Sequence, residues 1–146
     1  MRSLLQKRPD IEQAKLERTR RKMDFHFPNG LVLGYEFLIP TLPLPDPNDR
    51  HVLAVAIHAK AEYIVTFNLK DFPKSALLPY HVKAVSPDDF VLRIIEYDTN
   101  NFLTTVAMHR ATLTRPPKTV DEYLATLEKQ GLLKTVAFLW EHRDNI

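Results

Sequence analysis

The sequence has no cysteine, three glycines, one tryptophan and no long apolar run among its 146 residues. Without cysteine there are no disulfides, thiolate zinc sites or cysteine nucleophiles, an absence that fits a reducing cytoplasm, the expected location. The few glycines leave no phosphate-cradling loop. Met1-Arg2-Ser3-Leu4-Leu5 is followed by Gln6-Lys7-Arg8-Pro9, too short an apolar run for a secretory leader or a membrane span. A soluble, non-membrane protein is therefore expected. The formal charge of +2 is too small to imply nucleic-acid binding by itself, but the charge is uneven. Lys15-Leu16-Glu17-Arg18-Thr19-Arg20-Arg21-Lys22 is locally basic, and reads either as a phosphate-neutralising run or as a solvated helix face.

What is present is ordinary globular material: 45% hydrophobic and 26% charged residues, enough for one modest core. Pro9-Asp10-Ile11-Glu12-Gln13 opens a helix, with Asp10 as cap and Gln13 reaching back, that should run to about Met23. Asn29-Gly30 is a strong turn signal, and a short apolar stretch, Leu31-Val32-Leu33, follows. Pro40-Thr41-Leu42-Pro43-Leu44-Pro45 lacks amide donors at its prolines and predicts a rigid loop. A helix opens at Asp46-Pro47-Asn48-Asp49, with Val52, Leu53, Ala56, Ile57 and Ala59 as its apolar face. Tyr63-Ile64-Val65-Thr66-Phe67 predicts a buried strand and His81-Val82-Lys83-Ala84-Val85 a second. Alternating helix and strand implies a parallel α/β sheet. From Ser86 onward only helix signals occur: Ser86-Pro87-Asp88-Asp89, a helix over 100–112, the capping box Thr119-Val120-Asp121-Glu122 with Gly131 as stop, and a last helix over 132–141. Residues 1–85 are thus expected to form an α/β domain and residues 86–146 a helical C-terminal extension.

Ligand sites of parallel sheets lie beyond the carboxyl ends of strands. Asn68 follows such an end, Asp71 lies a turn further, and Asp49 stands in the first turn of the preceding crossover helix. Oxygen donors of this kind suit a hard divalent cation, Mg2+ or Mn2+. The same residues have a plain alternative, since Asp46 and Asp49 stand where helix-capping acids belong and Asn68 is an ordinary turn residue. The spacing does not decide between the two.

Pro45-Asp46-Pro47-Asn48-Asp49-Arg50-His51-Val52-Leu53-Ala54-Val55-Ala56, followed by Ile64-Val65-Thr66-Phe67-Asn68-Leu69-Lys70-Asp71-Phe72-Pro73, resembles the second half of PIN-domain ribonucleases of the VapC-toxin group. Asp89-Phe90, Arg110, Pro116-Pro117 and Thr119-Val120-Asp121-Glu122 also resemble the helical tail of a longer bacterial subgroup. The resemblance implies a Rossmann-like, three-layer PIN fold with a small parallel sheet, and a metal-dependent endoribonuclease activity with RNA as substrate and an antitoxin as partner. It matches Asp49 to the acid that opens the helix and Asn68 to the Asp or Asn after the strand, as metal-site residues. Asp46 and Asp71 stand where further acids often occur, and Arg50 or Lys70 would steer the RNA backbone.

The family pattern begins with a hydrophobic strand carrying the first catalytic aspartate. A later helix supplies a glutamate before the region resembling Leu4-Leu5-Gln6-Lys7-Arg8-Pro9. Neither element is found in this sequence, and Asp10 and Glu12 are better read as a helix start. The resemblance therefore implies an N-terminally truncated PIN-like fold with part of its acidic site missing. Impaired catalysis is expected, or an inert binding module. An uncovered strand edge would favour homo-oligomers.

Other features point elsewhere less specifically. His51 and His58 lack the further ligands a zinc site needs. His142-Arg143-Asp144 has none of the context of a kinase catalytic loop. Phe25, Phe27, Tyr35 and Phe37 could stack on bases, but packing is the preferred reading.

Overall fold

The first helix, α1 (Gln13–His26), follows an extended Glu12 in the computed structural model, which describes residues 12–146. The expected cap Asp10 lies outside the described residues. The helix is rich in Gln, Lys, Glu and Arg, all good helix formers, and ion pairs Lys15–Glu12 at 3.5 Å and Arg20–Asp24 at 3.6 Å add support along it. It runs a turn beyond the expected stop at Met23, because Pro28 is the first residue that opposes continuation. None of its residues is buried.

Leu42 and Leu44 are buried, whereas Pro43 and Pro45 are exposed. This alternation is that of extended backbone, so the proline-rich passage feeds two leucines into the core while its donor-less prolines face solvent. Its start is a 3₁₀ turn, Glu36–Thr41. Helix α2 (Arg50–His58) buries Leu53, Ala54 and Ala56, with Val52 and Ile57 half-buried against the same core. Ala59, expected on that face, is instead exposed as the C-cap residue.

Strand β1 (Tyr63–Val65) pairs in parallel with β2 (Lys83–Val85), in the register Tyr63↔Lys83, Ile64↔Ala84 and Val65↔Val85. Between them lie the short helix α3 (Lys74–Leu77) and a 3₁₀ turn, Leu78–Tyr80. This is the expected α/β arrangement with a small parallel sheet. Both strands are shorter than their apolar runs. The Thr66 amide still donates to the Val85 carbonyl at 2.9 Å, but Ser86 then caps a helix, leaving Phe67 no partner strand. His81 adopts a left-handed conformation (φ 57°) that ends the preceding turn, so β2 starts only at Lys83. Leu42, Leu44, Leu53, Ala54, Ile64, Phe72, Leu77 and Val82 belong to the core of this half.

The C-terminal part is α4 (Pro87–Tyr97), α5 (Thr99–Thr112), α6 (Val120–Lys129) and α7 (Leu133–Glu141). Its boundaries follow local chemistry. Ser86 Oγ accepts from the Asp89 amide at 3.1 Å and Asp98 from the Asn101 amide at 3.0 Å. Thr119 and Glu122 form the full capping box. Gly131 takes φ +85° between α6 and α7, a conformation that other residues strain to adopt. Leu103, Val106, Tyr123, Leu124, Val136, Leu139 and Ile146 form a second core. Two cores therefore stand where the sequence suggested one: the helices bury their stripes against one another rather than on the sheet. Across the boundary, the Tyr63 and Phe90 rings meet edge-on at 6.0 Å and Arg93 lies over Tyr63 at 5.4 Å. Among the described residues no helix is long and apolar enough to cross a membrane.

Asp88 is a buried carboxylate in this second part. It accepts from the Lys134 amide at 2.8 Å, the Thr135 amide at 2.9 Å and the Thr135 hydroxyl at 2.7 Å. Burial pushes its pKa up, but these hydrogen bonds and the Lys134 charge more than offset that, so Asp88 titrates below the usual carboxylate range. Beside it, the Lys134 ammonium bonds Asp89 at 2.6 Å. That contact and the Ser86 hydroxyl lower the Asp89 pKa, while Asp89 raises that of Lys134.

Candidate metal centre

The two ambiguous acids at the start of α2 separate on inspection. Asp46 has extended backbone, and its Oδ1 accepts from the Asn48 amide at 2.8 Å; it is a cap, as the plain reading held. Pro47 opens the 3₁₀ turn Pro47–Asp49, where its missing amide costs nothing. Asp49 is the residue immediately before α2, and its side chain makes no capping hydrogen bond. It is half-buried. A carboxylate in the first turn of a helix is favoured by the helix dipole even without a direct bond.

The chain then runs along α2 and reverses at Ala59–Glu62, where the Ala61 amide bonds the Ala56 carbonyl at 2.8 Å and Lys60 takes φ 54°. Helix α2 packs on β1. Because the direction reverses, the residue before α2 and the residues after β1 fall at the same end of this helix–strand pair. There, the Thr66 hydroxyl accepts from the Asn68 amide at 3.0 Å, and the Asp71 amide donates to the Asn68 carbonyl at 3.2 Å. The Asn68 side-chain Nδ2 donates to Asp71 Oδ2. That bond turns the Asn68 amide oxygen away from Asp71, leaving it as an acceptor. Asn68 and Lys70 are exposed and Asp71 is half-buried. Arg50 is half-buried, and its Nε is shut from solvent without a hydrogen-bond partner among the described residues.

The structure thus joins Asn68 to Asp71 directly and places Asp49 at the same end by topology. Asp46 is committed in part to its own turn. The donors are hard oxygens, which fit Mg2+ or Mn2+ in kind. They do not complete a shell: among the described residues no group of three or more His, Cys, Asp or Glu side chains is placed to hold a metal. His51 Nδ1 contacts the Asn48 carbonyl, while the His58 ring lies edge-on to Phe37 at 6.2 Å, so the two histidines have separate local roles. Arg143 pairs with Asp121 at 3.0 Å and lies over Trp140 at 5.0 Å, a structural use of the His142-Arg143-Asp144 triplet.

Tyr35 packs on the first core, but Phe25, Phe27 and Phe37 are 81%, 69% and 69% exposed, so the packing expectation fails for those three. Among the described residues the β1 edge away from β2 has no partner strand. Glu62 O and Thr66 N face β2, so by the alternation of a parallel ladder the N–H and C=O groups of Tyr63 and Val65 face outward. Val65, Phe67 and Leu69 beside that edge are also exposed.

A small parallel sheet flanked by a crossover helix, with oxygen donors at its strand-end rim, defines a PIN-like α/β protein. Residues 7–70 match the family described as PIN domain, and residues 87–141 match the family described as VapC50 C-terminal domain. The chain is also 52% identical over 68 residues to "Putative ribonuclease VapC50" of Mycobacterium tuberculosis, covering 44% of this chain and 40% of that protein. No solved structure is a match. The chain is thus similar, in each of these two parts, to VapC-like PIN-domain proteins. It spans less than half the length of the curated relative it matches.

Proposed function

We propose that the chain acts as a metal-dependent endoribonuclease of toxin type, with RNA as substrate and an antitoxin protein as partner. The observation that carries this reading is the division of labour between the acids at the start of α2: Asp46 caps the turn, while Asp49, at the rim, is left without a capping bond. Asp49 and the Asn68 amide oxygen would hold Mg2+ or Mn2+. Asp71 positions Asn68, and the uncommitted oxygen of Asp46 supports the shell. A divalent cation held there would stabilise charge on phosphoryl oxygens and lower the pKa of attacking water. Lys70, exposed beside Asn68, and Arg50 would steer the phosphate backbone. With so few carboxylates, metal affinity and turnover should be low.

A second reading is favoured by the absence, among the described residues, of a fuller ligand group and by the open β1 edge. In it, the chain is catalytically inert and acts by binding a partner or a second copy of itself. Hydrolysis of a single-stranded RNA in Mn2+, beside EDTA and an Asp49→Ala control, separates the two. Cleavage that needs the metal and disappears in Asp49→Ala is the expected result, with Asp71→Ala slowing it about ten- to a hundredfold. Equal background hydrolysis by all three proteins would leave the inert module.

A further inference from the structure

We infer that α1 is a docking element for the backbone of single-stranded RNA, separate from the candidate metal centre. The choice of RNA as the polyanion rests on the ribonuclease reading above; the surface itself does not. At 100° per residue, Lys15, Arg18, Arg21, Lys22, Phe25 and His26 fall within an arc of about 140°. No acid falls in that arc. Glu17 and Asp24 lie on the opposite side, where Asp24 pairs with Arg20 at 3.6 Å. Of the arc's cations, Lys15 meets Glu12 at 3.5 Å, while Arg18, Arg21 and Lys22 form no ion pair among the described residues.

Two further observations make this more than a solvated face. A helix of this length is marginal without tertiary packing, yet α1 buries none of its residues. Like charges spaced three and four residues apart also repel, at a small cost each. A bound polyanion offsets that repulsion and releases counterions. Second, Phe25 stands inside the basic arc, 81% exposed, with the His26 ring edge-on at 5.2 Å. An aromatic among cations that track a backbone is the pattern of a surface for unpaired bases.

The charge complementarity favours nucleic acid over a lipid surface. The apolar residues of α1, Leu16 and Met23 with Phe27 after it, make a narrow stripe bordered by Arg20, too small for interfacial anchoring. Phe25 lies outside that stripe. An exposed base-stacking ring also favours a single strand over a duplex, whose bases are already stacked.

The test is binding of the full chain to a fluorescein-labelled uridine 20-mer, followed by anisotropy in EDTA so that cleavage does not intervene. The Kd should rise with salt, with a log–log slope of about 3 for four neutralised phosphates. Combined Arg18→Glu, Arg21→Glu and Lys22→Glu should weaken binding at least about tenfold and flatten that slope. Phe25→Ala should weaken it about five- to a hundredfold with the slope kept. Since α1 buries nothing, these variants should keep the parent's circular dichroism and melting point; the glutamine versions of the three cations provide a milder set. An unchanged Kd in the charge-reversed protein overturns the inference, as does tighter binding to an equal-length duplex or to phosphatidylserine vesicles. Asp49→Ala should bind as the parent does. Binding that depends on α1 without any metal-dependent cleavage sinks the ribonuclease reading alone. Asp49-dependent cleavage with Kd and KM untouched by the α1 substitutions sinks this one alone.

Discussion

Replacing Asp88 with alanine should destabilise the helical C-terminal part by about 3 kcal/mol, because it strips a buried site of an ionised acceptor that serves three donors. Helix α7 begins at Leu133 after Leu132, which has no side chain able to cap it. Asp88, in the first turn of α4, fills that role from a distant part of the chain, receiving the Lys134 and Thr135 amides and the Thr135 hydroxyl. Removal leaves those amides facing a void at the interface where α4 packs on α7. Asp88→Asn should fall between parent and alanine, since its amide presents one oxygen and one nitrogen to a set of donors. Thr135→Val should lose less again, because only the hydroxyl contact goes. Urea denaturation followed by circular dichroism would rank the three.

The same residue sets a pH dependence. The folded pKa of Asp88 is lowered, and those of Asp89 and Glu122 are lowered as well, Asp89 by Lys134 and Ser86 and Glu122 by the Thr119 cap. Groups with lowered folded pKa values contribute stability that is present above their ordinary values, near pH 4, and is lost as the pH falls through the folded values. The stability difference between parent and Asp88→Asn should therefore be constant from pH 7 to about pH 5 and shrink below pH 4. A difference that persists undiminished at pH 2 would mean that packing, not the charged acceptor, holds α7 in place.

Features that depend on residues three or four apart were legible in the sequence. The Ser86 cap, the Thr119–Glu122 box and the Gly131 stop all belong to this class. Their physics is contained within one turn of chain. Strand lengths were not legible, since β1 ends where β2 runs out of residues to pair and not where its own apolar run stops. The fate of the aromatics was equally hidden. Composition gives Phe25, Phe27 and Phe37 a preference for burial, but burial needs a facing surface, and among the described residues none covers them. The candidate site shows both cases. Asp46 and Asp49 look alike as letters, and only backbone geometry assigns the cap to one of them. The link from Asp88 to Thr135 joins residues 47 apart, and nothing local marks Asp88 as different from Asp89.

We propose that residues 1–85 and 86–146 behave as two folding units, and Leu53→Ala and Leu124→Ala test this most sharply. Both leucines are fully buried, one in each core, so each truncation should cost about 2–5 kcal/mol. Contacts across the boundary include the Phe67 ring beside Gly131, the edge-on Tyr63–Phe90 pair and Arg93 over Tyr63, the last two together worth only about 1–2 kcal/mol. A truncation in one core should thus reach the other only weakly. Hydrogen exchange read by mass spectrometry should show Leu53→Ala losing protection in α2, β1 and β2, while α5, α6 and α7 stay protected; Leu124→Ala should give the reverse. The double variant should be additive within about 0.5 kcal/mol. If either leucine truncation deprotects both halves together, the cores are one cooperative body. The boundary contacts would then carry far more coupling than the Tyr63–Phe90 and Arg93–Tyr63 pairs ordinarily supply.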